Sequence, residues 1–303
     1  MPNVEPVAMT DVTVSIVSLN TRALLAACLR TVNLSTGVTL DVRVVDNHST
    51  DGSPDMVERE FRSVTLIRNS ENHGFAAANN MAIRDLSSRY VLLLNPDTEV
   101  PPDAIRNLVA FMDATPQAGI CGPLVRFPDG RFQSCGYPFP TLLREIRQSK
   151  RVGRLARLFV GEDPPLIVPD GPVEREWVDG CCLLIRTAVI RQIGLLDEQY
   201  FLYAEELDWC FQARKHGWRV FALPGVTIVH HLGQSSGQMS EFSLGCLVET
   251  RLRFYRKNHG LLTAATVSAV YILGCLKQMR NDRQKNAVKL KAALRWWRTL
   301  WAT

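Results

Sequence analysis

Three acids crowd a stretch of four residues, Glu205, Glu206 and Asp208, in the run FLYAEELDWCF. Like charges this close raise the pKa of at least one member, which suits a general base near neutral pH. A solvated helix face would carry the same acids, but Tyr203, Leu207, Trp209 and Phe211 flank them and point to partial shielding. A further acid, Asp97, closes the apolar run of LLLNPDTEV. Pro96 has no backbone donor and cannot continue a central strand, so the strand stops where the carboxylate begins. A lone carboxylate there suits a hard divalent cation, Mg²⁺ or Mn²⁺, and the cation suits a diphosphate. An acid-containing turn with no ligand is the plain alternative. His230 and His231 follow another apolar stretch, IVHH. A core histidine is the commoner use of the residue, but a pair before Gly-Gln-Ser-Ser supplies imidazole ligands that Asp97 and diphosphate oxygens would complete.

Four polar clusters follow predicted strands in the first hundred residues. They hold Ser18 and Asn20; Asp46, Asn47 and Ser49; Asn72, Gly74, Phe75 and Asn80; and Asn95 with Asp97. Each alone reads as a turn or helix cap, but their shared position at strand ends makes one pocket the better reading. There is no GxGxxG and no GxxxxGK[ST], so neither a dinucleotide fingerprint nor a P-loop is supported. The clusters instead suggest a nucleotide held by hydrogen bonds to base and ribose, with a metal on the diphosphate. Asp46 is placed to accept from a pyrimidine N3–H.

The elements that must position these groups alternate. Strands are predicted at 13–19, 42–45, 64–68 and 90–94, with helices at 22–32, 54–61, 76–86 and 102–114. That order predicts an α/β fold with a mostly parallel sheet covered on both faces. Residues 117–140 read as loop or edge strand, and 142–160 as a basic amphipathic helix. A strand at 177–186, helices at 187–193 and 200–215, and a strand at 219–231 follow. Two units are expected: a body over 1–250, with a nucleotide half at about 12–115 and an acceptor half at about 116–250, and a basic helical tail over 251–303.

The charge balance supports the division. Residues 251–303 hold 12 Lys and Arg against one acid, Asp282, giving +11, whereas 1–250 hold 23 against 29, giving −6. A basic tail points to an anionic surface. Residues 261–276 are apolar but short of the ~20 needed to span a bilayer. The closing LRWWRTLW mixes Arg with three Trp, as interfacial helices do. A hairpin packed on the body is the alternative. The first residues carry neither a basic start nor an apolar run, so no export signal is expected. The eight cysteines show no zinc spacing and read as reduced core residues of a cytosolic protein.

The ordered motifs VSIVSLN, VVDNHSTDGS, ENHGFAAANN, LLLNPDTEV, WVDGCCLLIR, FLYAEELDWCFQARKHGW and VHHLGQSS resemble those of the family 2 inverting glycosyltransferases, in particular the bacterial rhamnosyltransferase-like branch. The resemblance spans about residues 12–260. It implies a GT-A fold, a Rossmann-like central sheet with a C-terminal helical appendage, and a nucleoside-diphospho-sugar donor. By the resemblance, Asp46 contacts the base and Asn72 and Asn80 line the donor site. Asp97 matches the last acid of the DxD-type metal motif, with Asn95 in place of the first. Glu206 matches the catalytic base in a motif that usually reads Glu-Asp, leaving Glu205 or Asp208 as substitutes. His230 matches a metal or diphosphate ligand with His231 close behind, and Asp179 and Gly180 sit where acceptor contacts fall. The expected reaction is transfer from dTDP-rhamnose to a hydroxyl of a surface glycan or lipid-linked acceptor at the cytoplasmic membrane, with UDP-hexose or UDP-N-acetylhexosamine as alternative donors. A nucleic-acid-binding or membrane scaffold acting through the tail is the rival of another class; the acidic body and the lack of a nucleic-acid module count against nucleic acid. Two carboxylates across a sugar would also suit a glycoside hydrolase, which needs no nucleotide pocket. Self-association is left open.

Overall fold

The computed structural model describes residues 10–85, 87–148, 168, 170–231, 241–278 and 283–300. The strands are β1 (Val12–Ser18), β2 (Leu40–Asp46), β3 (Thr65–Arg68), β4 (Tyr90–Leu94), β5 (Thr98–Glu99), β6 (Ala118–Arg126), β7 (Phe132–Ser134), β8 (Val173–Arg175), β9 (Cys182–Arg186) and β10 (Arg219–His230). The helices are α1 (Arg22–Asn33), α2 (Ser53–Glu60), α3 (Gly74–Ile83), α4 (Ala104–Ala114), α5 (Leu142–Gln148), α6 (Thr187–Ile193), α7 (Glu205–Lys215), α8 (Glu241–Gln278) and α9 (Arg283–Leu300).

One sheet runs β3-β2-β1-β4-β9-β6-β10-β5, with β7 on β6 and β8 on β10. β3, β2, β1 and β4 are parallel, β9 runs against both β4 and β6, and β6 is parallel to β10. β4 is buried along its whole length. Strand alternation sends Tyr90, Leu92 and Leu94 into one core with α1, α2 and α4, and Val91 and Leu93 into the other with α3, α6 and α7. The mostly parallel α/β architecture expected from the alternation is present.

Residues 117–140 depart from the expectation. They contain β6, a buried strand in the middle of the sheet. Its glycines admit close neighbours: a Cβ on Gly119 would lie 2.7 Å from Trp218 Cβ, and one on Gly122 would lie 3.1 Å from Val178 Cβ. Pro123 sits where the ladder to β10 skips from Leu223 to Thr227, so its missing donor falls at an irregularity. Of the predicted basic helix, α5 covers 142–148; Lys150, Arg154 and Arg157 lie outside the described residues.

The expected boundary at 250 falls inside α8, which changes direction at Gly260 (φ 85°). Val248, Leu252 and Tyr255 before the turn, Ala264 and Val267 after it, and Ala292, Ala293 and Trp296 of α9 share a core of their own.

Candidate active site

The turn after β4 folds back onto the end of β10. Thr98 pairs with His230 across β5 and β10, and the His231 backbone N–H donates to Asp97 O at 2.9 Å. This brings His230 Nε2 to 3.2 Å from Asp97 Oδ1, with both side chains buried. Neighbouring strand residues point to opposite faces, so His231 turns away and its Nε2 meets Glu99 Oε1 at 2.7 Å. Of the two candidate histidines, only His230 stands with Asp97. Asn95 uses its backbone, donating to Cys181 O at 2.9 Å and thereby tying the turn to the start of β9.

Because β9 is antiparallel, the residues just before it arrive at the edge where the parallel strands end. Asp179 accepts a hydrogen bond from Ser134 Oγ and lies in the field of His230. Burial raises the Asp179 carboxyl above its usual value, against that hydrogen bond. Gly180 lies directly under the base candidate: a Cβ there would meet Glu206 Cβ and Cγ at 3.4 Å.

Glu205 and Glu206 open α7 after two successive residues in the left-handed region, Tyr203 (φ 73°) and Ala204 (φ 68°). Such backbone at a non-glycine pair costs energy and persists where the surroundings hold it. Burial lifts Glu206 to about 7, with the charge of Asp179 adding to the rise. Burial, with Glu206 as like-charged neighbour, holds Glu205 well above the carboxylate range. Each has a buried Oε2 with no hydrogen-bond partner among the described residues. Asp208 differs. Lys257 Nζ reaches its Oδ2 at 2.7 Å and Asn258 Nδ2 donates to its Oδ1 at 2.8 Å. Asp208 is held by α8 as part of the scaffold, and Glu206 is the acid that faces Gly180 and Asp179.

In the nucleotide half, Asp46 is buried at the end of β2; its Oδ2 accepts from Ser49 N at 2.9 Å, while Oδ1 has no partner among the described residues. That leaves one acceptor for a base N–H. Ser18 Oγ meets Thr21 Oγ1 at 2.8 Å, and Asn20 N donates to Ser49 Oγ at 2.9 Å while Asn20 Oδ1 accepts from Thr50 N at 2.8 Å. Asn47 bridges Gly74 O at 3.0 Å and Asn69 Nδ2 at 2.9 Å. Asn72 is exposed and caps Gly74 N at 2.9 Å.

Asn80 does not open onto this pocket. Its amide donates to Leu196 O (2.8 Å) and Glu198 Oε1 (3.0 Å) and accepts from Leu196 N (3.0 Å). At Gly74 (φ 81°) a Cβ would collide with Phe201, and Phe75 N donates to Phe201 O at 2.7 Å. Together α3 and these contacts bolt the segment that leads into Glu205 and Glu206 onto the nucleotide half. Three residues that motif spacing did not single out complete the constellation: Gln133, whose Nε2 is 2.9 Å from His230 Nδ1; Ser134; and Lys257. Lys257 had no signal beyond its place in the basic tail, and Gln133 and Ser134 lay in a stretch that read as loop or edge strand.

The Asp97–His230 pair fits a hard cation. Adjacent corners of an octahedron with ~2.1 Å bonds are ~3.0 Å apart, close to the observed separation. Among the described residues no third His, Cys, Asp or Glu joins them. A cation there would take its other ligands from phosphate oxygens and water, as Mg²⁺ and Mn²⁺ do in phosphate sites.

The sequence profile of glycosyl transferase family 2 matches residues 13–154. A relative from Mycobacterium tuberculosis, an N-acetylglucosaminyl-diphospho-decaprenol L-rhamnosyltransferase, is 29% identical over 232 residues, 69% of this chain and 72% of its own. This chain belongs to glycosyltransferase family 2. The dTDP-rhamnosyl transferase RfbF of Shigella flexneri is 25% identical over 224 residues, 73% of this glycosyltransferase and 69% of its own chain. The GT-A fold is shared with a mannosyltransferase from Pyrobaculum calidifontis solved with GDP-Man and Mn²⁺, at a TM-score of 0.59 and 17% identity over 99% of this chain and 89% of that one. The mycobacterial and Shigella relatives are both named rhamnosyltransferases.

Proposed function

We propose that this glycosyltransferase moves rhamnose from dTDP-rhamnose to a hydroxyl of a lipid-linked or growing glycan, with inversion at the anomeric carbon. The observation that carries the reading is the buried Oε2 of Glu206, without a hydrogen-bond partner among the described residues, beside Gly180 and Asp179 and on the same sheet edge as the Asp97–His230 pair. The names of the mycobacterial and Shigella relatives support rhamnose.

Glu206 takes the proton from the acceptor hydroxyl as that oxygen attacks the anomeric carbon from the face opposite the diphosphate. The C–O bond to the diphosphate breaks and the nucleoside diphosphate leaves with the electron pair. No covalent sugar–enzyme intermediate forms. Asp46 orients the pyrimidine through N3–H, and Asp97 and His230 would hold the cation. When bound, the cation neutralises charge that develops on the leaving diphosphate. Thymine and uracil both present N3–H, so Asp46 admits a UDP-sugar equally well; donor choice rests on the sugar.

The acceptor is assigned to the cytoplasmic leaflet. Leu262, Leu273 and Leu276 of α8 and Leu294 of α9 are exposed, and Arg283, Lys291 and Arg298 of α9 are exposed too. Leucines beside cations suit the headgroup boundary of an anionic bilayer. By length and composition α8 could also cross a membrane. Its turn at Gly260 and shared core with α9 favour lying on the surface.

The test is a product assay with the full chain, Mn²⁺, a lipid-linked acceptor, and dTDP-rhamnose, UDP-hexose or UDP-N-acetylhexosamine. Transfer from dTDP-rhamnose with inverted configuration by NMR supports the reading; transfer from a UDP-sugar alone replaces the donor, and retained configuration removes the mechanism.

A further inference from the structure

We infer that Gln133 is a positioning residue for the cation site, selecting through the two ends of its amide which ring nitrogen of His230 carries the proton. The inference rests on the reading that Asp97 and His230 hold the cation, and goes beyond it.

Gln133 lies on β7 and reaches across to β10, where its Nε2 is 2.9 Å from His230 Nδ1. Its Oε1 is buried and has no hydrogen-bond partner among the described residues. An amide NH₂ only donates, so Nδ1 accepts, and the ring proton sits on Nε2, aimed at Asp97 Oδ1 at 3.2 Å. A nitrogen that carries a proton has no lone pair for a metal. As it stands, the pair is a closed hydrogen bond.

Opening it requires a bare Nε2 and therefore a proton on Nδ1. That proton needs an acceptor where the amide nitrogen now is. Rotating the Gln133 amide by half a turn places Oε1, the oxygen now without a partner, at that position. The torsion is the soft, roughly two-fold one at the end of the side chain. The ring stays neutral throughout: one proton leaves Nε2 for solvent and one arrives at Nδ1. Metal-bound histidines characteristically donate their second N–H to an oxygen that fixes the ring. A glutamine supplies that oxygen in one state and a donor in the other, which neither an aliphatic nor a carboxylate side chain can do. Hydrogen bonds of this kind change metal affinity roughly 10- to 100-fold when removed.

The experiment is Mn²⁺ titration of the full chain, read by the EPR signal of free Mn²⁺, for the wild type, Gln133→Leu and Gln133→Glu. Long-range ¹⁵N correlation spectra of the imidazole, with and without Mg²⁺, report the tautomer. Gln133→Leu is expected to bind Mn²⁺ roughly 10- to 100-fold more weakly. Gln133→Glu, an acceptor at both ends, is expected to bind at least as tightly as wild type and to show the Nδ1–H form without Mg²⁺. If Gln133→Leu fails to fold, the tautomer of Gln133→Glu decides alone. Wild-type affinity in Gln133→Leu, or an unchanged tautomer in Gln133→Glu, overturns the inference and leaves the cation reading standing. A wild type whose Mn²⁺ binding is no better than that of Asp97→Ala overturns both.

Discussion

Glu206→Gln separates chemistry from stability, because the two change in opposite directions. An acid whose pKa is raised by folding binds its proton more tightly in the folded state. The stability it costs is absent below about pH 4.5, grows as pH rises towards about 7, and is complete above that. The interval from 4.5 to about 7, at ~1.4 kcal/mol per pH unit, corresponds to about 3 kcal/mol. Its Oε2 is buried but the side chain as a whole is half-buried, and screening trims this to ~1–2 kcal/mol. Glutamine keeps the shape and removes the charge, relieving Glu205 as well. The variant should therefore melt about 1.5–3 °C higher than wild type at pH 8 and at the same temperature near pH 4.5. Turnover should fall by orders of magnitude with nucleotide binding intact. In the wild type, kcat should rise with pH to a plateau, with the rate at pH 6 about a tenth of it. The measurements are thermal unfolding at the two pH values and initial rates across pH. A variant that melts lower at pH 8, or one that keeps its turnover, would refute the assignment of Glu206 as the buried base.

Four further outcomes follow from the geometry. Asn80→Leu strips the buried backbone of Leu196 of its partners, costing about 2 kcal/mol in denaturant unfolding, and loosens the approach to Glu206, lowering kcat about 10²-fold while nucleotide affinity by calorimetry stays unchanged. Lys257→Met leaves Asp208 without its cation and should cost about 2–3 kcal/mol, read by urea unfolding. His230→Ala should weaken Mn²⁺ binding roughly tenfold or more, while His231→Ala, whose ring meets Glu99, leaves it unchanged in the same EPR titration. Leu262→Glu combined with Leu273→Glu should abolish flotation with anionic vesicles and leave transfer to a soluble acceptor intact; unchanged flotation removes the assignment of that face to lipid.

The four leading strands were legible because each is an apolar run ended by a polar turn, and β4 was readable to its last residue. The meeting of Asp97 with His230 was also foreshadowed, since both close apolar strands. β6 was hidden because Gly119, Gly122 and Pro123 are loop residues by habit. Here the glycines admit Trp218 and Val178, and the proline sits at a break in the ladder. The roles of Asn80 and Asp208 were illegible for another reason. Their partners lie 116 and 49 positions away, and nothing in local spacing distinguishes an amide that grips a ligand from one that grips backbone. Likewise a histidine pair on a strand does not reveal that alternation divides its members between two faces.

The bolting of residues 196–201 to α3 has a consequence for how the enzyme meets its substrates. Donor pocket and base ride on one block, so a nucleotide that settles α3 settles the carboxylate with it. Such wiring makes the approach to the carboxylates answer to α3, so a substitution that shifts this helix is expected to move the proton acceptor as well.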